Sequence, residues 1–298
     1  MWVFIFRLID WIAKKVERVL VNWLIRTLSC GPIPKHIAII MDGNRRYASK
    51  LGLADRRLGH YHGYDRFETV LNWCLRLGVK CVTVYAFSVE NFKRSPEEVE
   101  TLMTLAAEKL EKLASRRDII DRHGVSIRII GELGMLPEKV RNVAIKAMYA
   151  TSHHSNYILN ICFPFVSRLE MERATKMFNE WKQDPEMSMI EDQVLFRGCL
   201  DTFDSPDIDI LIRTSGEWRL SEFLLYQLCT SPNCHSFFID KMWPEFSIIE
   251  FGKILLRYQS RVTERSSLSV NLPAKIMQAR KKQYADLFAT ADFELIGR

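Results

Sequence analysis

Short apolar runs recur along this chain with longer, helix-patterned stretches between them, and that alternation restricts the fold more than any other feature. The runs at 36–41, 81–87, 125–130, 157–163, 208–212 and 236–239 have strand length and strand composition. Helical periodicity marks 60–78, 96–122, 136–151, 167–182 and 246–262. Ser95-Pro96-Glu97-Glu98 is a strong helix start, with a serine cap, proline at the first helical position and acids in the first turn. Strands separated by helices of this length need crossover connections. The expected fold class is therefore α/β, a central and mostly parallel sheet of about six strands ringed by helices. With 298 residues the core needs neither disulfides nor a structural metal. Sheets of this kind bind ligands beyond the carboxyl ends of their strands, so the segments just after each strand deserve the closest reading.

Three of those segments carry unusual chemistry. After the first strand comes Met41-Asp42-Gly43-Asn44-Arg45-Arg46, continuing to Arg56, Arg57, Gly59 and His60. An Asp at a strand end suits a hard cation, and Mg²⁺ is usually held by one or two carboxylates plus substrate phosphates. Gly43 admits close backbone approach, while Arg45, Arg46 and Arg56 offer forked donors for phosphate oxygens. An Asp-Gly-Asn is also an ordinary turn; the strand-end position and the flanking arginines favour a site. After the second strand, Ser88, Asn91 and Arg94 are spaced by three and would share a face of a helical turn. A capping loop before the Ser95 helix explains that spacing equally well. After the fifth strand, Arg213, Arg219 and Ser221 surround Gly216, as a diphosphate clamp or as a solvated face. One carboxylate and several arginines, without a Ser-His-Asp set or an activated Cys, suit one or two diphosphates bound through Mg²⁺. The chemistry would then fall on the carbon skeleton.

A formal charge of +6 fits an anionic ligand or a membrane surface. The arginines are localised at strand ends, with no basic helix face or aromatic platform, so nucleic acid is not an expected partner. Seven cysteines with no repeated C-x-x-C indicate a reducing compartment, and Cys229, Cys234 and His235 lack a fourth ligand at zinc-like spacing. Residues 2–28 are apolar but broken by charges, which disfavours a transmembrane span. Trp2, Ile5, Ile9, Ile12, Val16, Leu20 and Trp23 share one face at 100° per residue, a pattern suited to a membrane interface or to a protein groove. We favour the interface. The expected organisation is an associating helix over 1–30, a catalytic domain over 31–262, and a helical tail over 263–298 in which 275–287 is basic.

Taken in order, M-D-G-N-R-R-Y-A, R-x-x-G-H, Y-A-F-S-x-E-N-x-x-R, I-R-T-S-G-E-x-R-L-S-x-F-L-L and M-W-P-E-F resemble the motifs of the cis-prenyltransferase family across about residues 32–262. Arg45-Arg46, where bacterial undecaprenyl diphosphate synthases have Gly-Arg, looks like the eukaryotic dehydrodolichyl diphosphate synthase branch. The resemblance implies a parallel sheet with an apolar tunnel for a growing chain. It implies Mg²⁺-dependent condensation of isopentenyl diphosphate onto an allylic diphosphate such as farnesyl diphosphate, giving a long polyprenyl diphosphate for dolichol synthesis and protein glycosylation. By position, Asp42 would hold Mg²⁺ and diphosphate. Gly43, Asn44, Arg45, Arg46, Arg56 and His60 would hold the allylic diphosphate, and Arg213, Arg219 and Ser221 that of isopentenyl diphosphate. Ser88 and Asn91 would lie near the reacting carbons, with Arg94 a further phosphate contact.

Two departures from the family pattern matter. Bacterial members carry a Mg²⁺-binding Glu before the W-P-[DE] motif, and here His235 falls near that position. Bacterial homodimers also use an R-x-G motif near the C-terminus, and none follows Phe251 here. The resemblance thus implies a heteromer with a membrane-anchored, Nogo-B-receptor-like subunit on the cytosolic face of the endoplasmic reticulum. Ala106 and Ala107 replace bulkier residues on the tunnel helix, which points to a long product, although alanines also simply suit a helix. The competing readings are a non-catalytic subunit of the same fold and a Mg²⁺-dependent phosphohydrolase.

Overall fold

Strand β1 (His36–Ile40) is buried at every position, because it runs through the middle of a sheet covered on both faces. The structure, a computed structural model, describes residues 15, 18–53, 55, 58–115, 117–262 and 272–290. Its strands are β1, β2 (Cys81–Tyr85), β3 (Val125–Ile130), β4 (Tyr157–Cys162), β5 (Ile210–Arg213) and β6 (His235–Phe238). They form one six-stranded sheet in the order β3-β4-β2-β1-β5-β6. Every pairing is parallel, so the expected mostly parallel sheet is parallel throughout the described residues.

The helices, in chain order, are α1 (18–28), α2 (Asn44–Lys50), α3 (Leu58–Leu77), α4 (Pro96–Ser115), α5 (Arg117–His123), α6 (Glu138–Thr151), α7 (Ser167–Trp181), α8 (Pro185–Ser188), α9 (Asp192–Cys199), α10 (Leu225–Thr230), α11 (Ile248–Gln259) and α12 (Ala274–Ala289). Side chains alternate across the sheet: Ile37 and Ile39 join the larger core with α3, α4, α6 and α11, while Ala38 and Ile40 pack on the opposite face with Phe223 and Leu224. Burial on both faces explains why these strands read as continuous apolar runs. In α3 the buried positions Gly59, Gly63, Phe67, Val70, Cys74 and Leu77 fall three or four apart, one stripe laid along the sheet. Each large apolar side chain in that stripe contributes about 1.5–3 kcal/mol on burial.

Sequence reading ran 96–122 as one helix, and helical residues are described over 96–115 and 117–123, with 116 outside the described residues. It missed α2, α8, α9 and α10, four to eight residues long, whose periodicity is too brief to register. Ser95 caps α4 as expected, its Oγ accepting from the Glu98 amide at 3.3 Å.

In α1, Ile25 and Leu28 are buried, with Val21 and Leu24 packed against the core, whereas Leu20 and Trp23 are exposed. The described part therefore has two apolar sides: one docks on the protein, and Leu20 and Trp23 of the expected stripe face outward. Positions 2–14 and 16 lie outside the described residues. Among the described residues no helix is long and apolar enough to cross a membrane. The tail helix α12 docks on its own chain through buried Ile276 and Arg280. Arg280 Nη2 donates to the Leu200 carbonyl at 3.3 Å, and its guanidinium lies 4.6 Å from the Phe203 ring.

Glu170 of α7 is buried. Gln227 Nε2 donates to both of its oxygens at 3.0 Å, and the Asp201 amide donates at 3.1 Å. Burial, and after it the Asp201 charge, push this carboxyl from its ordinary 4.5 up to about 8. The folded chain thus keeps a proton that the unfolded chain has released. Stability is full below the unfolded value and falls as pH rises from 4.5 to about 8, at up to about 1.4 kcal/mol per pH unit. Glu170→Gln should flatten the pH dependence of the urea midpoint between pH ~5 and ~8; an unchanged slope would mean that Glu170 is already ionised in the fold.

Candidate functional site

Three residues beyond β1 the chain turns sharply at Gly43, whose φ of 101° is left-handed and whose added Cβ would lie 2.6 Å from Ser215 Oγ. This turn starts α2 and leaves Asp42 facing the crevice above the sheet. The backbone of Asp42 is held rigidly. Its amide donates to Thr214 Oγ1 at 3.0 Å, and its carbonyl accepts from the Thr214 hydroxyl at 2.8 Å and from the Trp243 amide at 2.9 Å. Its carboxylate accepts from the Gly43 amide at 2.7 Å and from Arg213 Nη2 at 2.9 Å, with Arg46 Nη2 3.7 Å away. The side chain remains 30% exposed, so oxygen lone pairs stay open to the crevice.

Arg213 ends β5, the strand paired with β1 on the other side from β2. Its side chain is 3% exposed and donates to the Arg219 carbonyl and, at 3.0 Å, to Ser221 Oγ. Arg213 Nε and Ser215 Oγ, both buried, have no hydrogen-bond partner among the described residues. Between them and α10 the loop places Ser215, Ser221, Glu222 and Leu224 at φ 79°, 51°, 56° and 48°. Four non-glycine residues in left-handed conformation within ten positions hold strain of a kind that collects at ligand sites. Tyr85, at the end of β2, anchors this loop: its hydroxyl lies 3.0 Å from the Phe165 carbonyl and 3.1 Å from that of Ser221, and its ring stacks on Phe223 at 4.8 Å.

Arg46 Nη1 donates to the Ser215 carbonyl at 3.1 Å, and its Nη2 pairs with Glu217 at 3.1 Å; Glu217 also pairs with Arg219. On the β2 side, Ser88 and Asn91 form a capping box. Ser88 Oγ accepts from the Glu90 amide at 3.2 Å, and Asn91 Oδ1 from the Ser88 amide at 3.0 Å. The capping explanation of their spacing is thus the local bonding observed. Arg94 pairs with Glu98 at 2.8 Å, and Arg45 approaches the same carboxylate at 3.5 Å. His60 is pushed down to about 4, first by burial and then by the Arg94 charge, so its imidazole is neutral at pH 7. Its Nε2 and Asn44 Oδ1 are buried without a hydrogen-bond partner among the described residues.

Below these groups lies an apolar cavity of about 150 Å³, with Asn44 and His60 in its wall together with Phe67, Phe87, Leu110 and Phe163. Ala106 lines it. Ala107 does not: it belongs to a separate groove with Val140 and Val143 of α6. Adjacent helical residues point about 100° apart, and at this place on α4 that rotation carries Ala107 off the cavity wall and toward α6.

The structure gathers Asp42, Gly43, Asn44, Arg45, Arg46, His60, Arg94, Arg213, Arg219 and Ser221 at the carboxyl ends of β1, β2 and β5 or on the helices that start there. Arg56 lies outside the described residues. His235 begins β6 opposite Ile210, while Phe238 at the other end of that strand is level with Arg213. Three residues of strand, about 10 Å, separate it from that level, so within this chain it is not beside Asp42. Sequence reading missed Thr214, which positions Asp42; Glu98 and Glu217, which pair the arginines; and Tyr85, which anchors the loop at Ser221. Thr214 and Glu217 sat inside the recognised segment and Glu98 in the helix start, but only contacts across the fold give them a role.

A buried guanidinium, a half-open carboxylate and unpaired polar atoms above an apolar cavity can hold the charged head of an amphipathic substrate while its chain is kept from water. Comparison with known proteins agrees. The undecaprenyl diphosphate synthase profile matches residues 40–266.

The chain belongs to this family, the cis-prenyltransferases.

It is 41% identical over 254 residues to the dehydrodolichyl diphosphate synthase complex subunit of Homo sapiens, covering 84% of this chain and 74% of that one. A geranylgeranyl-diphosphate-specific tritrans,polycis-undecaprenyl-diphosphate synthase of Thermococcus kodakarensis is 43% identical, with 80% and 89% covered. Among solved structures, lavandulyl diphosphate synthase from Lavandula x intermedia, in complex with dimethylallyl diphosphate, aligns with a TM-score of 0.69 and 26% identity over 78% of this chain and 97% of that one. This cis-prenyltransferase is accordingly an enzyme, and its sheet with flanking helices is the family's fold.

Proposed function

We propose that this cis-prenyltransferase condenses isopentenyl diphosphate units onto an allylic diphosphate, farnesyl diphosphate by preference, to make a long polyprenyl (dehydrodolichyl) diphosphate. The observation that carries this reading is Asp42 set between Arg213 and Arg46 above the apolar cavity. In this reading Gly43, Asn44, Arg45, Arg46, Arg56 and His60 take the allylic diphosphate. Arg213, Arg219 and Ser221 take the second one, Arg94 is a further phosphate contact, and Ser88 and Asn91 border the reacting carbons. Asn44 and His60, each with a buried polar atom unpaired among the described residues, lie in the wall of the cavity that would receive the allylic chain.

Asp42 fits Mg²⁺: an open carboxylate without a crowded ligand cage matches the way this ion binds through one carboxylate and substrate phosphates. When bound it would supply Lewis-acid stabilisation of the departing diphosphate. The protein's own part is to fix both diphosphates with arginines held in place by Glu98, Glu217 and Asp42, donors whose reorganisation is already complete before reaction. The allylic C–O bond breaks with its electrons leaving on diphosphate, the double bond of the incoming unit attacks, and a proton leaves that unit.

We further place the enzyme on the cytosolic face of the endoplasmic reticulum, serving dolichol synthesis and protein glycosylation. The exposed Leu20 and Trp23 of α1 support contact with a membrane surface. The human relative is named as a complex subunit, which supports a heteromer with a Nogo-B-receptor-like chain. Incorporation of labelled isopentenyl diphosphate into long lipid, with farnesyl diphosphate and Mg²⁺, tests the whole reading. Extension should stop with EDTA and be much stronger with membranes than with the purified chain. Full activity of the chain alone would remove the partner, and phosphate release without chain growth would indicate a phosphohydrolase. Product length gives a sharper test of the cavity: Ala106→Phe should shorten the product by several units, and Ala107→Phe should leave it unchanged. Equal effects of the two would mean that the chain grows elsewhere.

A further inference from the structure

We propose that Asp121, His153 and His154 form a binding site for a late first-row divalent metal ion, Zn²⁺ foremost, at the end of the sheet opposite Asp42. Asp121 lies on α5, which leads into the start of β3, and the two histidines lie in the turn between α6 and the start of β4. In a parallel sheet those strand starts are the end remote from the diphosphate site. The ligand atoms of all three residues lie within 4.8 Å of one another. His154 Nε2 is 3.0 Å from Asp121 Oδ1, and the two imidazole centroids are 3.9 Å apart.

An Asp–His ion pair accounts for two of these residues and leaves the third unexplained. Neighbouring side chains normally diverge, yet here a tight turn, with the Ser152 amide bonded to the Tyr149 carbonyl and that of His154 to Thr151, brings both rings to one side. The two segments are also tied through their backbones: the amides of Asn156 and Tyr157 both donate to the Gly124 carbonyl, at 3.1 and 3.2 Å. His123 is turned toward the Tyr157 ring and stands outside the set. Metal–nitrogen bonds of about 2.0–2.1 Å in tetrahedral geometry put ligand atoms about 3.3 Å apart, so small rotations of the exposed Asp121 and His153 side chains about the half-buried His154 complete the site. Water would take the fourth position.

Two imidazoles and one carboxylate favour Zn²⁺, Co²⁺, Ni²⁺ or Cu²⁺, whereas Mg²⁺ prefers oxygen ligands alone. The ion would therefore bind alongside Mg²⁺ at Asp42 without competing for it. It would pin the end of α5, which follows directly on the cavity-lining α4, to the turn after α6.

The test is titration of the full-length chain with Co²⁺ and then Zn²⁺, followed by visible absorption and calorimetry. Wild type should bind one Co²⁺ with the intense visible bands of a tetrahedral nitrogen–oxygen site. Zn²⁺ should displace it, and millimolar Mg²⁺ should not. His153→Asn with His154→Asn should weaken Zn²⁺ binding by about 100-fold, with the metal-free circular dichroism unchanged. Equal Zn²⁺ affinity in wild type and double variant would overturn the site. So would a thiolate charge-transfer band, which would put the metal on cysteines such as Cys229 and Cys234.

Discussion

Asp42→Ala should lower kcat/KM for chain extension by about 10³-fold or more, since it removes a metal-binding charge and frees an arginine aimed at the transition state. The alanine change also leaves Arg213, 3% exposed, without its carboxylate partner, so some lost activity could reflect a disturbed loop. Asp42→Asn separates the two causes. Its amide oxygen still accepts from the Gly43 amide, so the left-handed turn into α2 survives while the charge is gone. Circular dichroism should stay near wild type for Asp42→Asn, its urea midpoint should fall no further than that of Asp42→Ala because the turn is kept, and activity should still fall by at least about 100-fold. Retention of a tenth of wild-type activity in either variant would remove Asp42 from the reaction, and with it the diphosphate reading of the crevice.

Arg213→Ala should have the second largest effect, on binding and on stability together. This guanidinium connects β5, Asp42 and the strained loop through its bonds to Arg219, Ser221 and Asp42. Its loss leaves part-buried acceptors on Asp42, Arg219 and Ser221 unpaired and removes one of the two side chains, with Tyr85, that anchor the left-handed loop, a destabilisation of about 1–2 kcal/mol. The KM for isopentenyl diphosphate should rise by about 100-fold, with a smaller change for the allylic substrate. Arg213→Lys keeps the charge but cannot serve three acceptors with one planar fork, so stability should recover more than KM. A larger change in the farnesyl diphosphate KM than in that of isopentenyl diphosphate would reverse the assignment of the two diphosphates.

Both predictions depend on contacts between segments about 170 residues apart in the chain, as in Asp42–Arg213 and Asp42–Thr214. What could be read beforehand was local. Strand runs buried on both faces are apolar at every position, and α3, α4 and α6 have stripes wide enough to show a 3.6-residue period. The Ser95 cap and the strand-end positions of Asp42 and Arg213 follow from the same local rules.

The amino-acid sequence thus determined the α/β class, the parallel sheet, the family and the segments that carry charge, because periodicity, caps and motifs belong to neighbouring residues. The strand order that puts β2, β1 and β5 side by side was decided only by tertiary packing. So was the use of Glu98 and Glu217 to hold paired arginines, and the burial that keeps His60 neutral. The different hollows lined by Ala106 and Ala107, and the distance of His235 from Asp42, became clear only once helix rotation and strand polarity were fixed in space. The physical reason is common to all of these. Hydrogen bonds, charge pairing and desolvation depend on which atoms meet across the fold, and linear order does not encode that meeting residue by residue.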